Sequence, residues 1–305
     1  MTVLNAEPAG YSKTAIGYWK QKGFEYTESN WNDIMQQDSF NAVNILITRL
    51  AKKIDESVLE KFPALTHLVS ATTGLDHIDQ NVLSKRNIKL VSLRGQDDFL
   101  RTIPSTAEHT WALLLALIRN IPEANEHVKN GFWERDRFRG FQLKGKTIGI
   151  IGLGRTGTRV ASYAKAFDMD ICYFDPYVNN PDFYKYNQLD DLLNKSDIIS
   201  LHVHLNEETH HLLGAHNIGR LKNGCLLINT SRGNILDEHA AAQALAEKKI
   251  MGIATDVLAN ELDDIKKSPL WKSQQRHEHV IITPHIGGAT CDAMWACEEF
   301  IVDLV

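Results

Sequence analysis

From Lys146 onward, apolar residues come in short unbroken runs: KTIGIIG, DICYFD, DIISLHV, CLLINT, GIATDV and HVIITP. None alternates cleanly with polar residues, so each reads as a strand covered on both faces, the pattern of a parallel sheet between helices. Between the runs the apolar spacing changes to that of helices. Val160, Ala161, Ala164 and Phe167 follow the first run; NQLDDLLNKS, a short stretch near Ile218–Lys222, and Glu238–Lys248 follow later ones. This alternation predicts a doubly wound α/β domain. The first hundred residues repeat the rhythm more weakly: VNILIT, a helix near Glu56–Phe62, HLVSA, a helix near Ile78–Lys85, and IKLVSL. They predict a second, smaller α/β domain. A long helix is expected over Thr106–Arg119, with Ser105 and Glu108 spaced as a capping box, and another after Pro122, over Glu123–Lys129.

Composition narrows the classes. The 305 residues are 43% hydrophobic and 23% charged, enough apolar material for two ordinary domains. A net charge of -5 gives no reason to expect nucleic-acid binding. The mixed aromatic and basic stretch from Trp133 to Gly140 reads as surface cover near a hinge. No apolar run approaches the roughly 20 residues of a membrane span, and no signal segment opens the chain. Cys172, Cys225, Cys291 and Cys297 form no CxxC pair, which suits reduced thiols in the cytoplasm. His202, His204, His210 and His211 crowd one region without a matching set of thiols or carboxylates, so no metal site is expected.

Two constellations carry chemistry. Gly152-Leu153-Gly154-Arg155-Thr156-Gly157 follows a strand and opens a helix. In that context the glycines permit a tight turn, close approach of a pyrophosphate and close helix–strand packing. Asp175 ends the next strand, 18 residues after Gly157, placed to accept from ribose hydroxyls and to repel a 2′-phosphate. NAD is therefore the expected cofactor. The second set is Arg232, Glu261 and His285, each just past a different predicted strand and so at the crevice end of a parallel sheet. A guanidinium suits a carboxylate and a carbonyl, an imidazole suits proton exchange near neutral pH, and a neighbouring carboxylate orients the imidazole.

The segments INTSRGNILDE, IATDVLANEL and ITPHIGGAT resemble the three signatures of the D-isomer-specific 2-hydroxyacid dehydrogenase family, in its order. SATTGLDHID, IPSTAEHTWALLLALIRNI and LKGKTIGIIGLGRTG resemble its carboxylate loop, interdomain helix and cofactor turn, so the resemblance covers nearly the whole chain. It is closest to the phosphoglycerate-dehydrogenase-like branch. The resemblance implies a Rossmann domain (104–284) inserted in a flavodoxin-like substrate domain (1–103 and 285–305). It implies NAD-dependent hydride transfer at C2 of a small D-2-hydroxy or 2-keto acid, and a homodimer formed through Thr106–Arg119. By the same resemblance Arg232 binds substrate, and His285 is the acid/base paired with Glu261, the second glutamate of the family's pattern. Asp256 holds the nicotinamide carboxamide, Arg155 and Thr156 meet the pyrophosphate, and Val203 and Ser231 line the dinucleotide groove. Thr73 and Gly74 hold the substrate carboxylate through their N–H groups, and Arg49 contacts a substrate phosphate. Ala259, Leu262 and His204 depart from common family residues. Two rival readings use the same frame: a dinucleotide-sensing, corepressor-like binding protein and a phosphite-dehydrogenase-like enzyme.

Overall fold

The computed structural model describes residues 1–276 and 278–305. They divide into two compact units, one of residues 1–103 and 289–305, the other of residues 104–288.

The first unit holds a five-stranded parallel sheet: β1 (Thr2–Asn5), β2 (Glu25–Glu28), β3 (Val43–Thr48), β4 (His67–Ser70) and β5 (Lys89–Ser92), in the order β2-β1-β3-β4-β5. That order is the flavodoxin-like one, reversing direction between β1 and β3. The sheet is covered on both faces. Leu4, Leu46 and Leu68 pack to one side; Val3, Ile45, Ile47 and Val69 pack to the other. Ile301 and Val302 of the last helix, Cys291–Val302, join the second cluster, and Phe300 stacks on Phe99 with ring centroids 4.0 Å apart. These contacts return the end of the chain to its first unit.

The second unit contains β6 (Thr147–Ile151), β7 (Asp170–Phe174), β8 (Tyr184–Lys185), β9 (Ile198–Leu201), β10 (Cys225–Asn229), β11 (Ile250–Thr255) and β12 (Val280–Ile282). Their order is β12-β11-β10-β9-β6-β7-β8, and every pairing is parallel. Chain direction across the sheet reverses between β6 and β9, and this switch point is where a doubly wound sheet takes a ligand. Ile148 and Ile150 face one core and Ile151 the other, which explains why β6 reads as an unbroken apolar run.

One expectation needs correction. Ser105 is the first residue of the helix Ser105–Ile118 and Pro104 its cap, so Ser105 makes no capping bond and the box with Glu108 does not form. That helix packs six side chains, among them Trp111, Leu114 and Leu117, into the core of its own unit. The helix Ile121–Lys129 and the turn Arg135–Phe138 bury no residue, and Trp133 is 86% exposed.

Candidate active site

The glycine turn follows β6 directly. Gly152 has φ +89°, a conformation that L side chains rarely adopt, and a Cβ there would lie 2.6 Å from the His202 carbonyl oxygen. At Gly157 a Cβ would lie 2.1 Å from the Gly152 carbonyl oxygen, so the helix Arg155–Ala166 packs against the turn only because Gly157 has none. Gly154 differs: a Cβ would meet nothing within 4 Å. Space therefore remains open at the helix N-terminus. The first backbone bond there runs from Thr158 N to Gly154 O, which leaves the N–H groups of Thr156 and Gly157 for an anion. These features fit a dinucleotide's pyrophosphate. Arg155 opens the helix, and Val203 and Ser231 lie half-buried past the ends of β9 and β10. Beside the turn, burial pushes the His202 imidazole down to about 3, so it adds no charge near neutral pH.

Asp175 follows β7 and is 8% exposed. Its Oδ2 accepts the Leu153 N–H at 2.8 Å, and Oδ1 accepts those of Tyr177 and Val178 at 2.9 and 3.0 Å. A carboxylate offers about four acceptor positions, so it shapes the loop and still has capacity for a ribose hydroxyl.

Arg232, Glu261 and His285 follow β10, β11 and β12, which are neighbours in the sheet. His285 Nδ1 lies 2.6 Å from Glu261 Oε1. The acceptor is a carboxylate, so the proton between them belongs on Nδ1. Nε2 has no partner among the described residues. His285 adopts φ +55°, the left-handed region, which for a non-glycine residue costs of order 1 kcal/mol. Asp256 offsets that cost. Its backbone oxygen accepts the His285 N–H, Oδ1 accepts those of Ile286 and the Thr283 hydroxyl, and Oδ2 accepts the Gly287 N–H at 2.7 Å. Arg232 Nη1 donates to Ser231 O, and Asn229 holds the segment by donating to Arg232 O and accepting from Ser231.

Glu238 was not picked out by sequence. It is 7% exposed on the helix Glu238–Ala246; Oε1 accepts the Ala259 N–H at 2.7 Å and Oε2 accepts the Ser268 hydroxyl. It thus closes the loop carrying Glu261. The available signal was the glutamate that ends the segment INTSRGNILDE and opens a predicted helix. Gly233 completes the arrangement, because a Cβ there would lie 2.0 Å from the Leu258 carbonyl carbon.

In the first unit, Thr73 and Gly74 follow β4. Their N–H groups have no acceptor among the described residues, a pair of open donors at a strand's carboxyl end. Arg49 follows β3; Nη2 lies 2.6 Å from Glu298 Oε1 and Nη1 donates to Ala9 O, while Nε makes no hydrogen bond among the described residues. Glu298, the counterion, lies nearly 250 residues away in sequence. No cluster of three or more histidine, cysteine, aspartate or glutamate residues suited to a metal occurs among the described residues.

The second unit is thus a dinucleotide-binding domain with an imidazole–carboxylate pair at its strand ends. The family described as D-isomer specific 2-hydroxyacid dehydrogenase, NAD binding domain, matches residues 111–287. The chain belongs to that family, and the matched residues are its NAD-binding domain. A D-3-phosphoglycerate dehydrogenase of Archaeoglobus fulgidus is 36% identical over 96% of this chain and 54% of its own length. The chain spans about half the length of the curated phosphoglycerate dehydrogenases it matches. A hydroxypyruvate reductase of Thermotoga maritima is 35% identical over 82% of this chain and 80% of its own. Among solved structures, a D-lactate dehydrogenase of Aquifex aeolicus complexed with NAD and lactic acid is 27% identical. It aligns with a TM-score of 0.77 over 100% of this chain and 94% of that one.

Proposed function

We propose that the chain interconverts small D-2-hydroxy acids and 2-keto acids with NAD(H). The observation that carries this reading is the 2.6 Å contact of His285 Nδ1 with Glu261 Oε1, which leaves Nε2 as the working nitrogen. In reduction, Nε2 gives its proton to the carbonyl oxygen as that oxygen becomes a hydroxyl. In oxidation it takes the proton back. Glu261 fixes the ring's orientation and balances the imidazolium. Arg232 polarises the carbonyl and pairs with the carboxylate. Bound NAD supplies the hydride acceptor, and NADH the donor, at the nicotinamide ring. Asp256 Oδ2 keeps acceptor capacity for the carboxamide.

The substrate in this reading carries one carboxylate and no phosphate, because Arg49 is already neutralised by Glu298. The partner is a second copy of the chain, seated on the exposed segment from Ile121 to Phe141, where Ile121, Val128, Phe132, Trp133 and Phe141 are all exposed. A reducing compartment, the cytoplasm, is part of the same proposal, and four free cysteines suit it. No helix among the described residues is long and apolar enough to cross a membrane. The test is nicotinamide absorbance with glyoxylate, hydroxypyruvate, phosphohydroxypyruvate, pyruvate and phosphite. Turnover of an unphosphorylated keto acid supports the reading; binding of NADH with no turnover of any of them overturns it.

A further inference from the structure

Three strand ends carry the proposed chemistry, and a side chain 0.5 to 1 Å out of place loses much of its effect. What holds the ends in register lies outside them. The helix Ser105–Ile118 packs against β10, β11 and β12 alike, and two consecutive residues on it reach toward the strand ends. His109 Nε2 lies 2.9 Å from Thr283 Oγ1 and 3.2 Å from Asp256 Oδ1. Thr110 Oγ1 lies 2.8 Å from Thr230 Oγ1.

Proton accounting fixes the direction of these bonds. Thr283 spends its one hydroxyl proton on Asp256 Oδ1, at 2.5 Å. It has none left for His109, so the proton between them is on His109 Nε2, which is shared between Thr283 and Asp256. Likewise Thr110 gives its proton to the Thr106 carbonyl at 2.7 Å, so Thr230 donates to Thr110. Thr230 and Thr283 each lie two residues from a proposed working side chain. Thr230 precedes Ser231 and Arg232. Thr283 precedes Pro284 and His285, and Asp256 holds the backbone of His285, Ile286 and Gly287. Thr110 and Thr230 are both buried, and Asp256 is 2% exposed, so these bonds are shielded from competing water.

We propose that His109 and Thr110 are positioning residues: through Asp256 and Thr283 the first sets the orientation of His285, and through Thr230 the second sets that of Arg232. The proposal rests on the dehydrogenase reading for its kinetic consequences but not for its structural ones. One helix then couples the proton-exchanging ring to the carboxylate-binding guanidinium. The only part that needs the reaction is the division of labour: loss at His109 falls on turnover, and loss at Thr110 on keto-acid binding.

The test uses the full chain with His109→Ala, His109→Gln, Thr110→Val and Thr110→Ser. Glutamine restores an N–H donor near the position of Nε2, and serine restores the hydroxyl without the methyl. Nitrogen-15 spectra of the imidazoles, with NADH and no second substrate, report the His285 tautomer. In the wild type the neutral ring carries its proton on Nδ1; in His109→Ala it is a mixture of both tautomers; in His109→Gln it returns to Nδ1. With a reactive keto acid, His109→Ala lowers kcat about tenfold, and His109→Gln recovers most of it. Thr110→Val raises KM for the keto acid more than it lowers kcat, and Thr110→Ser recovers KM. Circular dichroism and melting curves select the variants that remain folded; glutamine and serine keep the polar partners and are the ones to rely on if alanine or valine unfolds. An unchanged His285 tautomer in folded His109→Ala, or a glutamine variant no better than alanine, overturns the proposal. If no keto acid is turned over by any protein, the dehydrogenase reading fails while the tautomer still decides the role of His109.

Discussion

Arg49 and Glu298 pair at 2.6 Å across the first unit, joining the end of β3 to the last helix. Glu298 is 1% exposed, and burial raises its carboxyl above the usual carboxylate range, opposed by the Ser12 N–H and Arg49. A charge so engaged is not available to a phosphate without leaving Glu298 uncompensated. The wild type is therefore expected to reduce hydroxypyruvate at least as well as phosphohydroxypyruvate. A clear preference for the phosphorylated substrate, lost in Arg49→Ala, would contradict this.

Arg49→Ala is expected to show its cost in stability, about 3–5 kcal/mol for breaking such a pair. The sign of its pH dependence follows from Glu298. A carboxyl whose folded pKa is raised gives stability that is present at low pH and lost as pH rises through the folded value. Without Arg49 the value rises further, so the deficit against wild type should be largest at neutral pH and shrink toward pH 4.5. Urea melts at neutral and acidic pH read this directly.

The last two glycines of the cofactor turn separate folding from binding. Gly154→Ala places its methyl in open space and should fold with a normal melting temperature while NADH affinity falls at least tenfold, because the methyl occupies the pyrophosphate's position. Gly157→Ala drives a Cβ to 2.1 Å from a backbone oxygen and should fail to fold or melt far earlier. Equal NADH affinity in wild type and Gly154→Ala would put the pyrophosphate elsewhere.

Asp175 fixes three backbone N–H groups, so Asp175→Ala combines two effects. Wild type should favour NAD over NADP by at least about tenfold in kcat/KM, from like-charge repulsion at close range. The alanine variant should narrow that ratio and also lose stability, roughly 1–3 kcal/mol for each donor left unpaired. A melting temperature unchanged in the variant would argue against the loop-holding role.

Much of this was legible in the sequence. The continuous apolar runs gave the second unit's sheet, and the glycine spacing gave its turn, because backbone close approach leaves no alternative to glycine at 152 and 157. Other parts were not. β2 reads EYTE, with three of its four residues exposed, so it carries no apolar signal to distinguish it from a loop. β1 is only four residues long, and it is buried by partners far along the chain. Glu238, His109 and the Glu298 counterion act through contacts across 21 to 249 residues, and no local spacing encodes such pairings. The hydrogen bonds by which Asp256 holds the turn that presents His285 likewise reach across the fold, where no motif encodes them.

Glu238 offers a separate check on the loop of Glu261. Glu238→Gln keeps one acceptor for the Ala259 N–H and should retain most activity. Glu238→Ala removes both anchors and should lower kcat about tenfold or more by displacing Glu261. Steady-state kinetics on the two variants distinguish a positioning carboxylate from surface charge: equal rates would leave Glu238 without that role.

The central claim is that His285 exchanges the proton while the dinucleotide is held by other residues. Its most direct test is the single-turnover rate of keto-acid reduction by NADH in His285→Ala, with NADH affinity measured on the same preparation. The account predicts a rate lower by about 10²–10⁴-fold and NADH affinity within about twofold of wild type, since no bond in the cofactor turn involves that imidazole. A rate within about threefold of wild type, with NADH bound equally well, would contradict it.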